Sequence, residues 1–108
     1  MESRRPQLAP HHLRQVLAIL AARLPALTVM VFGSRARGSA RPSSDLDLLV
    51  EAAEPLDEVT MAHLQQDFVE SDLPFRVEVL DGALVDAAFR ARIAPDLMPL
   101  ASPQPQVV

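Results

Sequence analysis

A short apolar run, Leu27-Thr28-Val29-Met30-Val31-Phe32, stops at Gly33-Ser34. That stop limits what the chain can become more than any other feature. A run rich in β-branched and aromatic residues and closed by glycine predicts a buried strand ending in a turn. A polar, basic, turn-rich stretch follows from Ser34 to Ser44. Then Asp45-Leu46-Asp47-Leu48-Leu49-Val50 alternates acid and aliphatic before becoming wholly apolar, which predicts a second strand. Upstream, Leu13, Val16, Leu17, Leu20, Ala21 and Leu24 recur at intervals of three and four, one apolar face of a helix opened by Pro10 and stopped by Pro25.

Downstream, residues 55–72 read as a helix with Leu56, Val59, Leu64 and Phe68 on its inner face. Phe75 to Leu80 alternates as a third strand, closed by the turn pair Asp81-Gly82. Ala83 to Ile93 reads as a last helix carrying Leu84, Ala87, Ala88 and Ala91, and the prolines from Pro95 onward argue against its continuation. The predicted order is α-β-β-α-β-α, a small α/β (α+β) domain with a short mixed sheet flanked by helices. Residues 1–9 read as a flexible N-terminus, 10–101 as the folded domain and 102–108 as a disordered tail.

Composition removes several classes of chemistry. The 108 residues contain no cysteine, which excludes disulfides, thiolate metal sites and cysteine nucleophiles within this sequence. No apolar run reaches membrane-spanning length, and the first residues lack the pattern of a secretory leader, so a cytoplasmic setting is expected. The net charge of −4 argues against a general nucleic-acid surface.

The chemistry concentrates around the first two strands. Gly33 has no Cβ, so a ligand can approach its backbone closely, and Ser34 offers a hydroxyl and an amide where a helical turn could begin. A phosphate suits that arrangement, although the same pair also suits an ordinary strand-to-turn junction. Asp45 and Asp47, two apart on a strand, share a face roughly 6–7 Å apart, while Leu46, Leu48 and Val50 share the other. Paired carboxylates repel and are costly to desolvate, and a divalent cation relieves both. A solvent-facing edge strand is the plainer alternative. His11, His12 and His63 lack partners at metal-ligand spacing and read as surface or helix-face residues.

Together, Gly33-Ser34-Arg35-Ala36-Arg37-Gly38 and Ser44-Asp45-Leu46-Asp47 resemble the signature of the DNA polymerase beta-like nucleotidyltransferases. Their arrangement is most similar to the minimal nucleotidyltransferases, the MNT group often paired with HEPN-domain proteins. The resemblance spans residues 13–100. It implies a third carboxylate on the next strand, and Glu78 is the candidate, where relatives commonly carry Asp. The plainer role for Glu78 is pairing with Arg76. Asp81, beside Gly82, fits a backbone-capping role better than a metal role. The resemblance implies catalysis and metal binding by Asp45, Asp47 and Glu78, nucleotide binding by Gly33, Ser34 and Arg35, and Mg²⁺, in a two-metal site, with ATP as substrate. Arg37 and Arg41 could serve phosphates, a partner or neither.

The implied activity is transfer of AMP from ATP to a hydroxyl of a partner protein. The chain would then be an antitoxin that adenylylates and silences a HEPN-type toxin. The alternative is a binding module or antitoxin acting by direct contact, with catalysis weak or lost. Small-molecule modification fits less well, because the antibiotic-modifying relatives carry an added substrate domain. Membrane association and nucleic-acid tailing are not expected.

Overall fold

A computed structural model describes residues 5–101. Helix α1 (Pro10–Arg23) leads to strand β1 (Thr28–Phe32), a one-turn helix α2 (Ser34–Arg37), β2 (Leu46–Glu51), α3 (Glu58–Val69), β3 (Val77–Asp81), α4 (Ala87–Ile93), a 3₁₀ turn (Ala94–Asp96) and a two-residue β4 (Met98–Pro99). The strands form one mixed sheet in the order β3-β2-β1-β4. β1 is antiparallel to both β2 and β4, whereas β2 and β3 are parallel. Only β2 and β3 need a crossover, and α3 provides it.

Pairing and alternation together decide which face each side chain takes. Leu46, Leu48 and Val50 of β2 are fully buried, as are Val16 of α1 and Leu64 of α3. These residues join Leu20, Val31, Phe68, Val77 and Val79 in one core between the sheet and the α1/α3 layer. Each fully buried aliphatic side chain contributes about 1.5–3 kcal/mol against leaving it in water. Of the apolar face expected on α1, Val16, Leu20 and Leu24 are buried while Ala21 is exposed, and Pro10 occupies the first turn, where a missing N–H costs nothing. The opposite sheet face is only partly covered. There Phe89 of α4 meets Phe32 edge-on with ring centroids 5.9 Å apart, and Arg90 pairs with Glu51 at 3.1 Å.

Several boundaries differ from the sequence reading. α3 begins at Glu58 rather than Pro55, because the Asp57 side chain accepts from the Thr60 amide at 3.0 Å and caps the helix there. α4 begins at Ala87 rather than Ala83, capped by Asp86, whose side chain accepts from the Phe89 amide at 2.7 Å. Leu84 therefore lies in the preceding turn, 69% exposed, and not on a buried helix face. β4 was not expected; its Met98 is buried against the core edge.

The N-terminal segment meets the domain at Gln7. Gln7 is held by four hydrogen bonds, two through its backbone and two through its side chain. Residues 1–4 and the expected tail of 102–108 lie outside the described residues.

Candidate active site

Strand pairing assembles the site. The antiparallel register sets Phe32 opposite Asp47, and the parallel register sets Asp47 opposite Glu78. Directly paired residues share a face, so Phe32, Asp47 and Glu78 form one row across three strands, on the face away from the main core. Asp45 lies just before β2, exposed, two residues ahead of Asp47. Asp47 is partly buried, while Glu78 is exposed.

Gly33 ends β1 and precedes α2, with φ 79° and ψ −158°, a conformation essentially reserved for glycine. A Cβ at this position would lie 2.4 Å from Oδ2 of Asp47. The missing side chain thus lets the Asp47 carboxylate lie against the turn. Ser34 opens α2, where the Ala36 and Arg37 amides donate to the Gly33 carbonyl at 3.1 Å, which leaves Ser34 and Arg35 with the first-turn amides outside that pairing. The α2 turn closes at Gly38, whose amide donates to the Ser34 carbonyl and whose left-handed conformation (φ 80°) turns the Ser39 amide onto the same oxygen at 3.0 Å.

Burial is the main cause that pushes the Asp47 carboxyl above its ordinary value of 3.8; the Glu78 and Asp45 charges push the same way, while Arg37 and Arg76 oppose them. Asp47 therefore senses both of the other carboxylates. Among the described residues, no group of three His, Cys, Asp or Glu side chains stands ready to hold a metal ion. The donor set still fits Mg²⁺, which takes one or two carboxylates and completes its shell with phosphate oxygens and water. A divalent cation would also offset the repulsion that raises Asp47. A cleft of about 810 Å³ opens beside Asp45 and Glu78, lined in part by Phe68, Phe75 and Arg76.

Arg35 does not take the place expected for it beside phosphates. Its residue is only 5% exposed, and its guanidinium is directed at the loop backbone. Nε donates to the Ser44 carbonyl at 3.0 Å, and Nη1 to the Gln7 carbonyl at 2.7 Å. Nη2 donates to the Pro42 carbonyl at 3.0 Å and, more weakly, to that of Arg41 at 3.4 Å. The guanidinium also sits over the Phe75 ring, 4.3 Å from its centroid. Arg35 thus fastens the loop that precedes Asp45. The cations whose charge reaches Asp47 are Arg37 and Arg76, which sequence reasoning left undecided or treated only as a partner for Glu78. Arg37 is itself tethered to Asp96 of the 3₁₀ turn at 2.8 Å.

Asp81 behaves as its position before Gly82 suggested. It is buried, and its carboxylate accepts from the Ala83 amide at 2.9 Å and the Leu56 amide at 2.7 Å. Its role is to join two loops. His63 lies 3.4 Å from the Arg23 guanidinium and His12 packs edge-on against Phe75, so both belong to helix faces.

A strand running into Gly-Ser, packed against a strand entered through Asp-x-Asp with Asp47 on the open face of a mixed sheet, defines a nucleotidyltransferase domain. The profile of that family matches residues 13–98, and the chain belongs to it. Among individual relatives, it is 47% identical over 75 residues to the probable protein adenylyltransferase MntA of Haemophilus influenzae. That match covers 69% of this chain and 66% of the relative, just under two thirds of its length. In structure, the chain matches a crystallised toxin–antitoxin with AMP-PNP at a TM-score of 0.68 and 25% identity, covering 85% of this chain and 74% of the other. A candidate minimal nucleotidyltransferase matches with a TM-score of 0.63 at 33% identity, covering 83% and 90% respectively. The family inferred from Gly33-Ser34 and Asp45/Asp47 is the family found, and the fold is that of its minimal members.

Proposed function

We propose that this protein is a Mg²⁺-dependent protein adenylyltransferase that moves AMP from ATP to a hydroxyl of a partner, acting as the antitoxin of a HEPN-type toxin. The observation that carries this reading is the Asp47–Glu78 register on the open face, with Gly33 bare beneath Asp47. The named MntA relative and the AMP-PNP-bound toxin–antitoxin neighbour support it.

In this mechanism Asp45 and Asp47 would hold Mg²⁺, with Glu78 as the further carboxylate of a two-metal site. The metal supplies charge neutralisation for the attacking and leaving oxygens. The Gly33-Ser34 turn receives the β- and γ-phosphates on backbone amides. Glu78 lies where it can accept the proton of the acceptor hydroxyl. The acceptor oxygen bonds to the α-phosphorus as the α–β bridging bond breaks, and pyrophosphate leaves. Arg37 contributes positive charge beside the carboxylates. The work of the protein is positioning and electrostatics, as in phosphoryl transfer generally. The ATP consumed is a cytoplasmic nucleotide, and we place the protein there.

The test mixes the protein with ATP, Mg²⁺ and a cognate HEPN-type toxin and weighs the toxin by mass spectrometry. A gain of AMP that disappears in Asp47→Ala is expected. Silencing of the toxin without a mass gain, retained in the Asp45→Ala/Asp47→Ala double variant, would replace enzymatic action with direct contact.

A further inference from the structure

We infer that Gln7, outside the sheet and outside the motif, is a positioning residue for Asp45. The loop from Gly38 to Ser44 has no regular secondary structure, yet Asp45 follows it directly. Its order comes from two sources. Within the loop, the Ser44 hydroxyl accepts from the Arg41 amide at 2.8 Å, and the Ser44 amide donates to the Arg41 carbonyl at 2.9 Å. From outside, the Gln7 side chain engages both backbone groups of Ala40. Its Nε2 donates to the Ala40 carbonyl at 2.8 Å, and its Oε1 accepts from the Ala40 amide at 2.8 Å.

A carboxamide with its donor and acceptor both matched to one residue reproduces the pairing of a β-ladder. The Gln7 backbone extends the latch. Its amide donates to the Arg35 carbonyl at 2.7 Å, and its own carbonyl accepts from Arg35 Nη1 at 2.7 Å. The same guanidinium holds the Ser44 carbonyl through Nε. Thus Gln7 fixes the loop at Ala40 directly and supports Arg35, which fixes it at Ser44, one residue before Asp45. Gln7 is exposed and absent from the core, so its replacement loosens the loop without opening a cavity.

This inference rests on the carboxylate site proposed above, and its test separates the two. In the protein labelled with ¹⁵N, amide exchange is read at Ala40 and backbone relaxation at Asp45, in the wild type, in Gln7→Ala and in Gln66→Ala. Gln66 is an exposed glutamine on α3 that pairs with Glu70 at 3.1 Å and serves as control. In Gln7→Ala, exchange at Ala40 is expected to rise roughly tenfold, with increased motion at Asp45, while Gln66→Ala changes neither. Unchanged exchange at Ala40, or a rigid Asp45 despite faster exchange, would overturn the positioning role. AMP transfer is then measured against Mg²⁺ concentration. Gln7→Ala should need several-fold more Mg²⁺ for half-maximal rate, with the thermal midpoint close to wild type. An equal Mg²⁺ requirement would also overturn it. If the wild type transfers no AMP, the adenylyltransferase reading fails, while exchange and relaxation still decide whether Gln7 holds the loop and Asp45.

Discussion

Replacing Gly33 with alanine tests the site at its tightest point. Two separable costs arise. The backbone at φ 79° and ψ −158° lies where only glycine is at ease, which costs about 1–3 kcal/mol for any side chain. The new methyl would also stand 2.4 Å from Asp47 Oδ2 and 3.3 Å from its Cγ, so the carboxylate must retreat by about 1 Å to restore ordinary contact. For a domain of this size, the backbone cost alone lowers the thermal midpoint by about 5–20 °C. The displacement should cost on the order of 100-fold in AMP transfer, since misplacement by about 1 Å has that effect at a reacting centre. Thermal unfolding followed by far-ultraviolet circular dichroism reads the first quantity, and mass-spectrometric transfer kinetics at a temperature where both proteins are folded read the second. A double-mutant cycle with Asp47→Ala separates the costs. Removing the carboxylate should recover the clash, a coupling of about 0.5–3 kcal/mol, and leave the backbone strain. A Gly33→Ala protein with a wild-type midpoint, or a cycle with no coupling, would refute the reasoning.

Other perturbations follow from the same geometry. Asp47 has a raised folded-state value, so its ionisation opposes folding: the penalty is absent below the unfolded value near 3.8, grows as pH rises towards the folded value and is complete above it. Asp47→Asn should therefore raise the thermal midpoint at pH 7 while abolishing transfer, and the stability gain should vanish as pH falls below about 4. Asp81→Ala leaves the Leu56 and Ala83 amides without their acceptor and should cost about 1–3 kcal/mol, measured by urea titration, while transfer per folded molecule stays at the wild-type rate. Ala26 has φ 68° in the turn between α1 and β1, a left-handed strain of about 1–2 kcal/mol for alanine. Ala26→Gly should raise the midpoint by a few degrees, because relief of strain exceeds the entropy glycine loses.

Much of the fold was legible because hydrophobic period and punctuation agreed. Pro10 and Pro25 bracket α1, the apolar run before Gly33 is β1, and the alternation from Asp45 separates buried Leu46, Leu48 and Val50 from Asp47. Other features escaped for physical reasons. The starts of α3 and α4 are set by the side chains of Asp57 and Asp86, whose bonds to the Thr60 and Phe89 amides fix the first turn without any signal in the hydrophobic period. The two-residue β4 is defined by its partner β1 and has no period of its own. In the site, Asp47 and Glu78 could be nominated, but their shared row depends on the parallel register, which a single sequence does not state. The direction of the Arg35 side chain, towards the loop backbone, is not stated by its adjacency to Ser34. Gln7 was overlooked because a lone glutamine beside proline carries no periodic signal; its partners are 28 and 33 residues away.

The contact between Gly33 and Asp47 also constrains how such a protein can change over descent. While Asp47 remains, any side chain at position 33 must displace its carboxylate, because the space of a Cβ is already taken. Once Asp47 is lost, that clash disappears and only backbone strain restrains position 33. A lineage that then acquires a side chain there has made the return harder, since restoring Asp47 alone would seat its carboxylate against that side chain. The two positions work as a ratchet, in which an intact glycine keeps reversion to the active form one substitution away.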